Sequence, residues 1–178
     1  MPAAIVFVAV DPFQISLVID APQEAVFDFL ADVANYPSFT DHFLTDWHLT
    51  RERSTGLGAG GRFRIAFPLA RFAWGDMTLT TVERPRLIVA SGRMGKTNRV
   101  PLEVTFRLQV GPEQTTRFTL AAVSQPTVPS DRLTEALAAP WARRQLRRAA
   151  FRLRELMEEA ARSGGLPPTL KRVTVADG

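Results

Sequence analysis

The stretch Phe13 to Pro37 (FQISLVIDAPQEAVFDFLADVANYP) changes its periodicity once, and that change sets how the rest of the chain is read. Phe13 to Ile19 has alternating stretches and β-branched residues, a pattern that predicts a strand. Asp20-Ala21-Pro22 ends it and starts a helix, because a proline in the first helical turn lacks only an N–H that would be unsatisfied there anyway. In that helix Val26, Phe27, Leu30 and Val33 recur at helical spacing. Glu24, Asp28 and Asp32 lie four apart on another face. With no histidine partner beside them, they read as a solvated face rather than a metal site. Asn35-Tyr36-Pro37-Ser38 breaks the helix, and Phe39 to Phe43 fits one further short turn.

Downstream the pattern is mostly that of strands. Asp46 to Arg53 predicts a strand with Trp47, Leu49 and Arg51 on one side. Gly56-Leu57-Gly58-Ala59-Gly60-Gly61 is glycine-rich like a phosphate loop, yet it lacks the GK[ST] ending, and the following Arg62 to Phe67 alternates like a strand. It is read as a tight connection between strands. Phe72 to Val82 and Arg86 to Ser91 flank the turn Glu83-Arg84-Pro85. Trp74, Asp76, Thr78 and Thr80 share one face and Met77 and Leu79 the other, a phase that a bulge would reconcile. Glu103 to Val110 and Thr115 to Ala122 form a half-buried hairpin, with Phe106 and Phe118 pointing one way and Arg107 and Arg117 the other.

After a proline-containing loop, Gln125 to Ser130, the chain reads as helical almost to Gly164, with Ser130 as its expected N-cap. Leu146, Ala149, Ala150, Leu153, Leu156 and Met157 occupy one arc of roughly 120° on a helical wheel. Arg143, Arg144, Arg147, Arg148, Arg152 and Arg154 occupy the opposite half, with Phe151 in their midst. Extending the wheel backwards puts Leu133, Leu137 and Trp141 on the arginine side. A break or kink at Pro140, separating Asp131 to Ala139 from the long helix, is therefore expected.

Composition narrows the chemistry. The 178 residues suit one domain, expected over 1–165 with a flexible tail at 166–178. There are no cysteines and only two histidines, His42 and His48, which excludes thiol nucleophiles, cysteine-ligated metals and a three-histidine site; no metal or cofactor is expected. The net charge of +4 is uneven, since residues 1–61 hold two arginines against eight acids. The apolar run Ala3 to Val10 has no basic flank and no cleavage site and is too short to span a bilayer, so a cytoplasmic location is the expectation.

Several motifs together resemble one superfamily. Ile19-Asp20-Ala21-Pro22, Val26-Phe27, Leu30, Asp32-Val33 and Tyr36-Pro37 resemble the N-terminal signature of START-like proteins, the polyketide cyclase/dehydrase and lipid-transport superfamily (SRPBCC). Gly58 to Phe63 and Val82 to Leu87 are similar to its turns between strands. The resemblance implies an α+β helix-grip fold: a curved antiparallel sheet wrapped around a long C-terminal helix, with two short helices after the first strand. It also implies a cavity holding an apolar ligand.

Alternation and the helical wheel nominate Phe63, Ile65 and Phe67, then Phe106 and Phe118, then Leu153 and Met157 as lining. Phe39, Phe43 and Trp47 are candidates for its mouth. Arg93 and Asp76, the latter beside Trp74, are the expected polar groups inside. The first functional reading is binding, and possible transport, of a hydrophobic molecule such as a lipid, isoprenoid or polyketide. The second is a cofactor-independent cyclase or dehydratase in which Asp76, His42 or Arg93 moves protons. A third places function outside, with Arg143, Arg144, Arg147, Arg148 and Phe151 docking on an anionic membrane, RNA or the ribosome. Two or more ionisable side chains converging in an enclosed cavity would favour the enzyme, and a wholly apolar cavity would favour carriage.

Overall fold

A computed structural model of the chain describes residues 12–68, 73–165 and 174–175. The run Ala3 to Val10 and most of segment 166–178 lie outside the described residues. The first strand, β1 (Phe13–Ile19), leads into two short helices, α1 (Gln23–Leu30) and α2 (Pro37–Thr40). Six strands follow: β2 (Leu44–Leu49), β3 (Gly60–Ile65), β4 (Ala73–Glu83), β5 (Leu87–Gly95), β6 (Val100–Val110) and β7 (Thr116–Ser124). The long helix α3 (Pro129–Ser163) comes next, and a two-residue strand, β8 (Thr174–Val175), pairs parallel with β2.

The strand order β1-β7-β6-β5-β4-β3-β2-β8 makes a curved sheet that is antiparallel from β1 to β2, with α3 on its inner face. This is the helix-grip arrangement, α+β in class. Among the described residues no helix is long and apolar enough to cross a membrane.

Local chemistry accounts for the elements. Pro22 caps α1, whose Val26, Phe27, Phe29 and Leu30 are buried against the sheet. Its outer carboxylates are not simply solvated: Arg84 in the β4–β5 turn pairs with Glu24 at 2.6 Å and with Asp28, tying helix to turn. Strand β2 ends earlier than expected. A positive φ at Asp46 and a register shift between Thr45 and His48 bulge it, so Trp47 and Leu49 are buried and Arg51 lies exposed beyond the strand. In β4 the register shifts between Leu79 and Thr81, which changes the facing of its last residues.

Helix α3 departs most from its sequence reading. It starts with Val128 as N-cap and Pro129 in its first turn, not at Ser130. It also runs unbroken through Pro140. A proline inside a helix removes one backbone bond and crowds the preceding turn, but the helix is tied down on both sides of Pro140, by Asp131 to Arg99 and Glu135 to Ser124 before it and by Trp141 against Phe43 and Phe67 after it. Leu133 and Leu137 accordingly stay on the arginine side, each 63% exposed. The C-terminal half is sealed instead: Ala149, Ala150, Leu153 and Met157 are buried in the main core with Phe27, Leu30 and Phe118. Gly164 closes the helix in the left-handed conformation, φ 65°.

Candidate functional site

Between the sheet and the N-terminal half of α3 lies a cavity of about 610 Å³. Its place follows from side-chain size along the helix. Ala138, Ala142 and Ala149 recur on the face turned to the sheet and leave room, whereas Leu153 and Met157, further along, fill the space. The volume falls within the usual range for sites that bury a small molecule.

The walls are apolar and largely aromatic. Phe39 and Phe43 come from α2 and the residues just after it, Phe63 and Ile65 from β3, Phe67 from just beyond it, and Phe106 from β6. Trp141 closes one side from the helix, edge-on to Phe43 with ring centroids 6.2 Å apart and 5.1 Å from Phe67. The ring of Tyr36 also lines the cavity, but its buried hydroxyl donates to the Leu30 carbonyl at 2.9 Å. Burial, reinforced by the charge of Asp32, pushes that phenol well above its ordinary pKa, so it stays neutral.

Polar groups gather at one end, where the β5–β6 turn, the end of β7 and the first turns of α3 meet. Arg99 donates to both oxygens of Asp131, at 2.7 and 3.0 Å, and this pairing holds the Asp131 carboxyl below its usual range. Beside it Ser124 donates to Glu135 Oε2. Burial raises the Glu135 pKa, the Ser124 hydrogen bond opposes that shift, and the Asp131 charge adds to it. Lys96 and Thr97 are exposed at this end, which marks it as the side facing solvent.

Of the residues nominated from sequence, Phe63, Ile65, Phe67 and Phe106 line the cavity, and Phe39 and Phe43, nominated for its mouth, are buried in its wall away from the solvent-facing end. Trp47 and Phe118 do not: Trp47 packs on Phe63 at 4.8 Å with its Nε1 bonded to the Leu44 carbonyl, and Phe118 stacks behind Phe106 at 6.2 Å. Leu153 and Met157 lie in the solid core.

Arg93, Asp76 and Trp74 stand on the opposite face of the sheet, because Ile88 and Ala90 in β5 and Ala73, Gly75, Met77 and Leu79 in β4 take the inner one. There Asp76 accepts from the Arg93 backbone at 3.2 Å and from Asn98 at 2.6 Å, fastening the β5–β6 turn, while Arg62 covers the Trp74 ring. His42 sits between α2 and α3 rather than in the cavity, and His48 is half-buried on β2.

Sequence reading missed Trp141, Ser124 and Glu135. The signal was present: Glu135, Ala138, Ala142, Leu146 and Ala149 form one helical stripe, once the helix is allowed to continue through Pro140. Leu120, Ala122 and Ser124 alternate inward along β7 in the same way.

Residues 13–158 match the sequence profile of the family described as polyketide cyclase / dehydrase and lipid transport. No curated protein matches the chain. Among solved structures, a truncated norcoclaurine synthase from Thalictrum flavum superposes with a TM-score of 0.61 at 11% identity, covering 83% of this chain and 94% of the other. Major latex-like protein 151 from Panax ginseng does so at 0.58 with 8% identity, covering 82% and 96%. The protein DR_A0006 from Deinococcus radiodurans scores 0.58 at 16% identity, covering 84% and 98%. At such identities the likeness concerns the fold.

Proposed function

Since the chain belongs to the polyketide cyclase/dehydrase and lipid-transport family, we propose that it binds, and carries, a hydrophobic small molecule in the cavity under α3. The observation that supports this best is the alanine stripe Ala138, Ala142 and Ala149 facing an aromatic wall, which keeps an apolar space open where larger side chains would close it. Burial of ligand carbon in such a space contributes roughly 25 cal/mol per Å². The described lining does bring ionisable groups together, Asp131 with Arg99 and Glu135 with Ser124, but only at its polar end, and the rest of the wall is apolar. Asp76, His42 and Arg93, the groups nominated for proton transfer, lie away from the lining, so turnover of the cyclase or dehydratase kind would have to use the polar end around Asp131 and Glu135 instead.

Native mass spectrometry of freshly purified full-length protein, followed by extraction, is the direct experiment. A co-purifying apolar species is expected, and Ala142→Trp, which fills the cavity from the helix side, should remove it while the melting temperature holds or rises. A species that persists undiminished in a folded Ala142→Trp protein would place binding elsewhere.

A second reading is favoured by the outer face of α3. Leu133 and Leu137 are each 63% exposed and Phe151 38%, and they share that face with Arg144, Arg147 and Arg148. Apolar side chains interleaved with arginines suit an anionic bilayer surface better than RNA, because leucines offer no stacking platform. Arg154 covers the Phe151 ring at 5.1 Å, so the two leucines are the main anchors. Co-sedimentation with vesicles containing phosphatidylglycerol should fall several-fold in a Leu133→Ser, Leu137→Ser variant. Retention equal to the unchanged chain would count against this face.

A further inference from the structure

The cavity is not uniformly apolar, and at its polar end one carboxyl oxygen has no partner among the described residues. Ser124 and Glu135 face each other across the junction of β7 and α3, and both line the cavity. Each arrives there by the regular period of its element: Ser124 follows Leu120 and Ala122 along the inner face of β7, and Glu135 begins the stripe that continues through Ala138, Ala142 and Leu146. Ser124 occupies Glu135 Oε2. No described residue bonds Oε1. The neighbouring Asp131 differs, because Arg99 already donates to both its oxygens.

We infer that Ser124 and Glu135 form a head-group subsite that selects, among ligands with a long apolar body, those ending in a hydroxyl: an alcohol or a phenol. The inference rests on the cavity reading above and names its ligand class. A hydroxyl both donates and accepts, so it satisfies the Glu135 carboxyl whether or not that group holds a proton. A ligand carboxylate serves it only when the two like groups share a proton, because two ionised carboxylates repel at close range. An ether accepts but cannot donate, so it fails whenever Glu135 is ionised. The direction of the Glu135 shift, upward through burial, fits a carboxyl placed in a cavity wall. A site built to hydrogen-bond a hydroxyl rejects analogues lacking it more strongly than an apolar pocket discriminates by size.

The test uses the full chain at pH 8 with N-phenyl-1-naphthylamine as a fluorescent reporter, displaced by 1-dodecanol, dodecanoate or dodecyl methyl ether. The unchanged protein should bind the alcohol about tenfold or more tightly than either the carboxylate or the ether. In Glu135→Gln the alcohol-to-carboxylate ratio should shrink to about threefold or less, since the amide carries no charge and offers an N–H to the carboxylate. That ratio is taken within each protein, so a general loss of affinity does not enter it.

Equal binding of alcohol, ether and carboxylate by the unchanged chain would overturn the inference while leaving the cavity reading intact. The same holds for a ratio that survives Glu135→Gln. Should the unchanged chain bind neither reporter nor any amphiphile, the cavity reading itself fails and the subsite with it. The ether comparison needs no variant, so the inference stays open to refutation even if Glu135→Gln does not fold.

Discussion

At the scale of single residues, His42 shows how a side chain nominated for chemistry holds structure instead. Arg152 Nη1 lies 2.9 Å from His42 Nδ1, and a guanidinium can only donate. His42 Nδ1 therefore accepts, and Nε2 carries the proton it donates to the Gln145 carbonyl at 3.2 Å. A second proton would have to sit on Nδ1, facing Arg152. Burial lowers the His42 pKa most, and Arg152 and Arg148 lower it further against the opposing Gln145 hydrogen bond and Asp41 charge.

The sign follows from linkage. The folded chain releases this proton more readily than the unfolded one, so the neutral state carries no penalty above about pH 6.5, the ordinary histidine value. Stability is then lost as pH falls from there towards the lowered folded value. Urea denaturation at pH 7.5 and 5.5 should show the unchanged protein losing more stability over that interval than His42→Gln. Equal losses would refute the lowered His42 pKa. Gly75 is a second case. A Cβ there would lie 2.5 Å from the Phe63 ring, which crosses the strand over it, so Gly75→Ala should cost about 1–3 kcal/mol in the same assay. An unchanged midpoint would mean that the ring moves at no cost.

At the scale of elements, the strands and their order were legible because inner and outer residues alternate. Which face is inner was less so. Arg93 is in phase with Leu87 and Val89, two apolar residues that suggest burial, yet that side of β5 faces outward and Ile88 and Ala90 face in. A strand with apolar residues on both faces leaves its orientation to the neighbouring strands, which a single-strand pattern does not contain. Helix α3 gives the complementary lesson. Its wheel correctly placed Leu133 and Leu137 beside the arginines but put Trp141 there too, whereas Trp141 turns onto Phe43 and Phe67 in the cavity wall. Treating the three as grounds for a break was wrong. That step moved attention from Glu135 and Trp141 to Leu153 and Met157, shifting the expected cavity two or more turns towards the C-terminus.

An uninterrupted helix has a consequence that can be measured. Pro140 is exposed, and alanine there restores the missing N–H to the helix. An interior proline is about 3 kcal/mol less favourable than alanine, and its restriction of the unfolded chain offsets about 0.4–1 kcal/mol of that. Pro140→Ala should therefore stabilise the protein by roughly 2 kcal/mol. A loss of stability would show instead that the proline belongs to a bend on which the packing of Trp141 against Phe43 and Phe67 depends.

At the scale of the whole molecule, charge and apolar surface are distributed unevenly. The cavity turns its aromatic walls inward, whereas the excess of positive charge lies after residue 61 and gathers on the outer face of α3. The vesicle reading of that face separates two contributions. Each arginine near an anionic surface contributes about 1 kcal/mol, so replacing Arg144, Arg147 and Arg148 by glutamine should weaken binding to phosphatidylglycerol vesicles about a hundredfold. Screening acts on the same term: the Debye length falls from about 8 Å at 0.15 M salt to about 3 Å at 1 M, so high salt should reproduce most of that loss in the unchanged chain. The leucine contribution is hydrophobic and should survive salt, leaving a weak residual affinity that Leu133→Ser and Leu137→Ser remove. Equal binding to neutral phosphatidylcholine vesicles, or binding indifferent to salt, would sink the electrostatic part. It would leave Leu133 and Leu137 as exposed apolar residues without a charged surface to direct them.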